Sequence, residues 1–165
     1  RGGGETYGGA TYGAEALGVM RTEKGHQAGT EVNGQPTAHE LGMGRMVSTK
    51  KDFIGQTMAA RAALTDPARP TLVGLRPVSS TTPLVAGAHI LPKGKPASAA
   101  FDQGWISSSA WSPTVHSWIA LGFVAHGPAR QGEIVTIHNP LAGTTLDAEI
   151  VSPVFVDPEG TRLHA

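Results

Sequence analysis

Cysteine is absent from this 165-residue chain. Disulfides, thiolate nucleophiles and cysteine metal ligands are thereby excluded, and the absence suits the reducing cytoplasm, where we expect the protein. Charge is also scarce: Asp, Glu, Lys and Arg make up 16% of residues and sum to zero with histidine neutral. No basic stripe is present to grip nucleic acid, and no excess of cations draws the chain to an anionic membrane. Neither is expected as a partner. No apolar run approaches the roughly 18 residues that span a bilayer, and the first residues show no basic-then-apolar secretion pattern. Aromatic residues are few, at 5%. What is abundant is glycine (22) and proline (12), in a composition that is 39% hydrophobic. That balance supplies a core and many turns, as in a β protein with short connections. The length suits one domain, or a small domain plus a piece of another.

The chain changes character at Asp66-Pro67-Ala68-Arg69-Pro70, where two prolines forbid helix continuation. Ahead of this break, residues 1–11 are glycine-rich and aperiodic, and read as a disordered leader. Residues 12–23 carry Ala16, Leu17, Val19 and Met20 in roughly a helical stripe, which Gly25 and Gly29 end. Thr37 and Glu40 have the spacing of a capping box, predicting one short helical turn. Residues 46–48 suit a short strand and the alanine-rich residues 56–64 a helix. After the break, strand-like segments alternate with turns at 71–76, 85–91, 105–109, 116–125, 133–138 and 146–151, with 93–103 as a long hairpin tip. Six short strands at this spacing predict a closed or nearly closed barrel. The expected fold class is α+β: a mixed N-terminal segment followed by a small six-stranded antiparallel β-barrel.

The residues that carry chemistry form no catalytic constellation. The seven histidines are scattered, with no i, i+4 pair and no carboxylate completing a zinc set, so no metal is expected. Ser107, Ser108, Ser109 and Ser112 cluster, yet none sits in a Gly-x-Ser-x-Gly elbow and no base is placed beside them. They read as the polar face of a strand. Residues 87–95 hold lysines near glycines, but Pro96 stands where a phosphate loop would start its helix. Trp105, Trp111 and Trp118 suit either a stacking platform for a flat heterocycle or barrel packing with an interface patch. If their stretch is extended rather than helical, Arg21 and Glu23 share one side and could form a buried pair that orients it. No catalytic residue is expected.

The order of these segments resembles a known family. The residues that carry the resemblance are Gly18-Val19-Met20-Arg21-Thr22-Glu23-Lys24-Gly25 within 12–25, Leu41-Gly42-Met43-Gly44, and Ser48-Thr49-Lys50-Lys51-Asp52-Phe53-Ile54-Gly55. Leu72-Val73-Gly74-Leu75, the turns and strands of 104–135, and Pro153-Val154-Phe155-Val156-Asp157-Pro158-Glu159-Gly160-Thr161-Arg162-Leu163 complete it. From Tyr12 to Leu163 the chain is similar to the C-terminal region of heterotetrameric sarcosine oxidase alpha subunits. That region resembles the aminomethyltransferase (T protein) of the glycine cleavage system.

The resemblance implies that residues 12–66 are the C-terminal part of a folate-binding lobe and residues 69–165 the family's C-terminal β-barrel. It implies a contribution to tetrahydrofolate binding during oxidative demethylation of sarcosine to glycine, beside the other sarcosine oxidase subunits. Flavin and NAD would sit on parts of that complex outside this sequence, as would the acidic residues that hold the pterin. Alone, the chain is expected to be inactive. The implied residues of the tetrahydrofolate pocket wall are Arg21, Glu23 and Trp111. The chain also departs from the transferase: a folate-holding arginine aligns with Leu17, a tyrosine falls near Ala28, and a frequent tryptophan is Arg45. Two other readings stand beside this one, a stand-alone aminomethyltransferase-like folate-binding protein and a non-enzymatic subunit-docking module.

Overall fold

The computed structural model describes residues 6–79 and 81–163; residues 1–5 of the expected leader lie outside the described residues. Six strands form the barrel: β1 (Pro70–Pro77), β2 (His89–Pro92), β3 (Gly104–Ser112), β4 (Ser117–Ala125), β5 (Ile134–Asn139) and β6 (Thr144–Val151). Their order around it is β1-β4-β3-β2-β5-β6, and β6 returns to β1. Every pairing is antiparallel. Closure leaves no unpaired sheet edge, which is how such short strands hold together.

The core follows from side-chain alternation along each strand. Val73, Leu75, Ile90, Ile106, Ala120, Val124, Ile137 and Ile150 belong to one buried cluster that fills the barrel. Leu72, Leu121 and Phe123 alternate with these and are buried on the outer face, beneath Leu41, Met43, Trp105 and Phe155. Trp105 stacks on Phe123 with ring centroids 5.3 Å apart. Burial on both faces explains why β4 reads as a nearly continuous apolar run.

Outside the barrel lie α1 (Ala14–Glu23), a 3₁₀ turn at Gly44–Met46, α2 (Gln56–Ala59) and α3 (Ala62–Thr65). The capping box is present: the Thr37 amide donates to Glu40 Oε2 at 2.8 Å, and the Glu40 amide to Thr37 Oγ1 at 3.3 Å. Glu40 also pairs with Arg69 at the entry to the barrel. Three expectations differ from the structure. Residues 46–48 are not a strand, because the chain is turned by Met46 N to Met43 O and Val47 N to Gly44 O bonds. The single helix expected over 56–64 is two short turns separated by an extended Arg61. Neither turn buries a residue, and helices this short need tertiary packing to extend. The strand expected over 85–91 begins only at His89, after a turn closed by Ala88 N to Val85 O.

The segment after β6 crosses the end of α1. The amides of Phe155 and Val156 donate to the Glu23 carbonyl at 2.9 and 3.0 Å. Asp157 then gathers the tail: its carboxylate accepts the Thr161 hydroxyl and amide and the Arg162 amide, and Lys24 lies 3.1 Å away. The Thr161 hydroxyl first, then Lys24 and the two amides, overcome desolvation and hold the Asp157 carboxyl down at about 2. A depressed carboxylate stabilises the fold above its unfolded pKa and loses that contribution as pH falls through the folded value. At pH 7 Asp157→Asn should therefore speed hydrogen exchange at the Thr161 and Arg162 amides. As pH falls toward 2, where half of the carboxylate is protonated, the difference between variant and parent should shrink, and a difference that stays undiminished would contradict the assignment.

Candidate functional site

α1 lies across β3 and β4, and two carboxylates tie it there. Ala, Glu, Leu, Met and Arg in Ala14–Glu23 lose little rotamer freedom in a helix. Glu15 in the first turn and Arg21 in the last complement the helix dipole. Gly25 ends the element with φ +69, and a Cβ there would lie 2.5 Å from the Pro153 carbonyl.

The first carboxylate is Glu31, at 0% exposure. Arg21 Nη1 and the Ala28 amide donate to its Oε2 at 3.1 and 3.0 Å. The hydroxyls of Ser107, Ser108 and Thr30 donate to Oε1 at 2.7, 2.5 and 3.1 Å. Arg21 Nη2 also donates to Ser108 Oγ at 2.7 Å. Adjacent residues of a regular strand point to opposite faces. Ser107 and Ser108 reach the same oxygen because β3 carries a bulge, its register with β4 shifting between Ile106 and Ser108. Burial pushes the Glu31 carboxyl up. Hydrogen bonds from Ser108, the Ala28 amide and Ser107, with the Arg21 charge, outweigh burial and hold it below its ordinary value. Glu31 is thus a buried, fully hydrogen-bonded anion that positions Arg21 and the C-terminal end of α1 on the bulge.

The second carboxylate is Glu23. Ser112 Oγ donates to its Oε1 at 2.5 Å and accepts the Val115 amide at 3.1 Å, so one hydroxyl joins the helix to the β3–β4 turn. Beside this contact runs an open groove of about 500 Å3, lined by Glu15, Ala16, Val19, Met20 and Glu23 of α1 and by Pro113. Its surface combines apolar side chains with two carboxylates that can accept N–H donors. It suits holding and orienting a flat, donor-bearing molecule.

The three residues expected in a pocket wall are separated by the structure. Glu23 lines the groove, whereas Arg21 turns into the buried network with Glu31. Trp111 stands near the end of β3, 40% exposed, edge-on to Trp118 at 6.3 Å. The three indoles do not form one platform: Trp111 and Trp118 pair with each other, and Trp105 stacks on Phe123. Arg21 and Glu23 do not pair, because the segment is helical and residues two apart lie roughly 200° around the axis. Glu31 had no signal in the sequence: its serine partners are 76 and 77 positions away. Among the described residues no cluster of His, Asp and Glu is placed to hold a metal ion. No helix among them is long and apolar enough to cross a membrane.

Comparison with known proteins agrees with this architecture. Over 162 residues the chain is 44% identical to the sarcosine oxidase subunit alpha of Rhizobium meliloti (strain 1021), covering 98% of this chain and 16% of that protein. It is 32% identical over 154 residues to the sarcosine oxidase subunit alpha of Corynebacterium sp. (strain U-96), covering 92% of this chain and 16% of that protein. The chain therefore spans 16% of the length of these curated relatives. Its fold is shared with the crystal structure of glycine cleavage system aminomethyltransferase T from Bartonella henselae, at a TM-score of 0.70 and 22% identity over 87% of this chain and 38% of that one. The profile of the glycine cleavage T-protein C-terminal barrel domain matches residues 71–157, which takes in all six strands of the barrel except its first residue, and the chain belongs to that family.

Proposed function

We propose that this chain works as the C-terminal portion of a sarcosine oxidase alpha-type subunit and forms one wall of a tetrahydrofolate pocket. There it contributes to the oxidative demethylation of sarcosine to glycine. The observation that carries this reading is the 44% identity to a sarcosine oxidase subunit alpha over 98% of the chain. In this reading residues 12–66 are the last part of a folate-binding lobe, and residues 69–165 are its barrel. The α1 groove is the wall: Glu23 and Glu15 accept N–H donors of the ring system while Val19 and Met20 cover its apolar edge. Arg21 acts from behind, as a positioning residue held by Glu31, and Trp111 offers an exposed ring at the neighbouring hairpin. The chain supplies binding and orientation, and flavin and NAD on other parts of the complex supply the redox chemistry. The complex is heterotetrameric and cytoplasmic, with no nucleic-acid or membrane partner, and the chain alone is inactive.

Grafting this chain onto the Rhizobium meliloti subunit in place of its matching portion gives a direct test. Calorimetry should show tetrahydrofolate binding to the assembled chimera and none in the micromolar range to the isolated chain. Glu23→Ala in the chimera should weaken binding about 10- to 150-fold, the worth of one lost hydrogen bond to a charged acceptor. An unchanged Kd in that variant, or micromolar binding by the isolated chain, contradicts the reading. A docking role for the same face draws on Leu17 and Met20, which are 52% and 47% exposed on α1. If docking is the role, Leu17→Glu blocks assembly of the chimera and leaves the Kd of whatever assembles unchanged.

A further inference from the structure

The chain contains two asparagines, Asn33 and Asn139. Both use the side-chain carbonyl in the same way. Asn33 Oδ1 accepts the Gln35 amide at 3.0 Å, and Asn139 Oδ1 accepts the Leu141 amide at 3.1 Å. They differ in the residue that follows. Gly34 follows Asn33 and carries a backbone N–H, whereas Pro140 follows Asn139 and has none.

Asn33 and Gly34 are both exposed, in the loop between the buried Glu31 and the capping box that Thr37 opens. Gly34 has φ +89, and no atom lies within 4 Å of where its Cβ would stand. Neither a side chain at 34 nor a neighbour therefore crowds this peptide, and water reaches both residues. The Gln35 amide draws electron density from the Asn33 side-chain carbonyl. It is placed to stabilise the negative charge that an attack on Asn33 Cγ would put on Oδ1.

We propose that Asn33–Gly34 is a self-modification site, where the loop converts its asparagine amide to a carboxylate through a cyclic imide. The Gly34 nitrogen, on losing its proton to solvent, attacks Asn33 Cγ. The bond from Gly34 N to Asn33 Cγ forms, the Cγ–Nδ2 bond breaks, and Nδ2 takes up a proton and leaves as ammonia. Water then opens the five-membered ring at either of its carbonyls. Opening at Cγ gives aspartate. Opening at the backbone carbonyl gives isoaspartate, in which the main chain runs through Cβ and Cγ. The net reaction consumes one water and releases one ammonia. Asn139 shares the hydrogen-bonded carbonyl, but the Pro140 nitrogen has no proton to lose, so the same ring cannot close there. Either product puts a negative charge two positions from Glu31, on the loop that carries the anchor of α1.

Peptide mapping by mass spectrometry tests this on the full 165-residue chain, kept at 37 °C in neutral buffer and sampled over time. Trypsin releases Asn33 within residues 25–45 and Asn139 within residues 131–162. The first peptide should gain the mass by which a hydroxyl exceeds an amino group, and should resolve into an aspartate form and an isoaspartate form. Asn33 should convert about tenfold faster than Asn139, or more. Gly34→Ala keeps the N–H but sets a methyl group beside it, and should slow the conversion about tenfold. The space around Gly34 is open, so the fold tolerates this variant. Conversion should also accelerate as the buffer is made alkaline, because the attacking nitrogen must first lose its proton. No gain of mass at Asn33, aspartate without isoaspartate, a similar rate at Asn139, or an undiminished rate in Gly34→Ala would overturn the proposal.

Discussion

Glu31→Ala should lose about 3–5 kcal/mol of folding stability, because it strips one partner from a buried ion pair and leaves Arg21 and two serine hydroxyls without their acceptor. Arg21 is only 24% exposed at its side chain, so water recovers little of what is lost. The loss should be local before it is global. Glu31 joins α1 to the bulge of β3, whereas the barrel closes through its own ladders. In the variant, hydrogen exchange at the α1 amides should rise first and most steeply, and the β4 amides, which open only with global unfolding, should lose protection by no more than the global stability lost. A drop below about 1 kcal/mol in urea unfolding would show that Glu31 does not anchor the helix. The linkage has a definite sign. The folded pKa of Glu31 lies below its ordinary value of 4.5, so its contribution is complete above that value and fades as pH falls through the folded one. The stability gap between the parent and Glu31→Gln should accordingly narrow as the pH is taken below that ordinary value.

Gly104→Ala should lower the melting temperature by about 10 °C, equivalent to roughly 3 kcal/mol or more for a chain of this size. Gly104 has φ +153, and a Cβ at that position would run into the Phe123 carbonyl. That carbonyl belongs to β4, which pairs with Gly104 at Val124, so it cannot turn away without opening the β3–β4 ladder. The Asp102 carboxylate also fixes the Gly104 amide at 3.1 Å. Gly132→Ala is the matched control. It has φ +88 but nothing within 4 Å of its added Cβ, so only the backbone penalty of about 1 kcal/mol should appear. Equal shifts for the two substitutions would mean that close approach to β4 is not what requires glycine at 104.

The barrel was legible in the chain for a physical reason. Residues 116–125 combine β-branched and aromatic side chains, and 133–138 β-branched ones, with bounding turns, and β4 and β5 occupy Ser117–Ala125 and Ile134–Asn139. These signals are local, since a strand's period and its turns lie within a few residues of one another. The resemblance carried by 12–25, 41–55 and 153–163 placed the chain in its family, and the profile match over 71–157 bears that out. Where no neighbour supports an element, local propensity failed. The alanine-rich 56–64 splits into two turns because nothing buries either face.

Composition, turn chemistry and strand periodicity were sufficient to determine a six-stranded barrel without cysteine chemistry. They also pointed to a helical stripe over residues 12–23, which the structure bears out as the helix Ala14–Glu23, and to a capping box at Thr37 and Glu40. Only the tertiary structure decided what the polar residues do. Ser107 and Ser108 read as alternating residues of a strand face, yet a bulge brings both to one oxygen of Glu31. Arg21 and Glu23 sit two apart, yet the helix sends one to Glu31 and the other to Ser112. His89 and His138 are 49 positions apart in the numbering and become neighbours only when β2 pairs with β5. A hydrogen bond or a cavity depends on which distant atoms meet, and that is set by register, bulge and closure rather than by any local spacing.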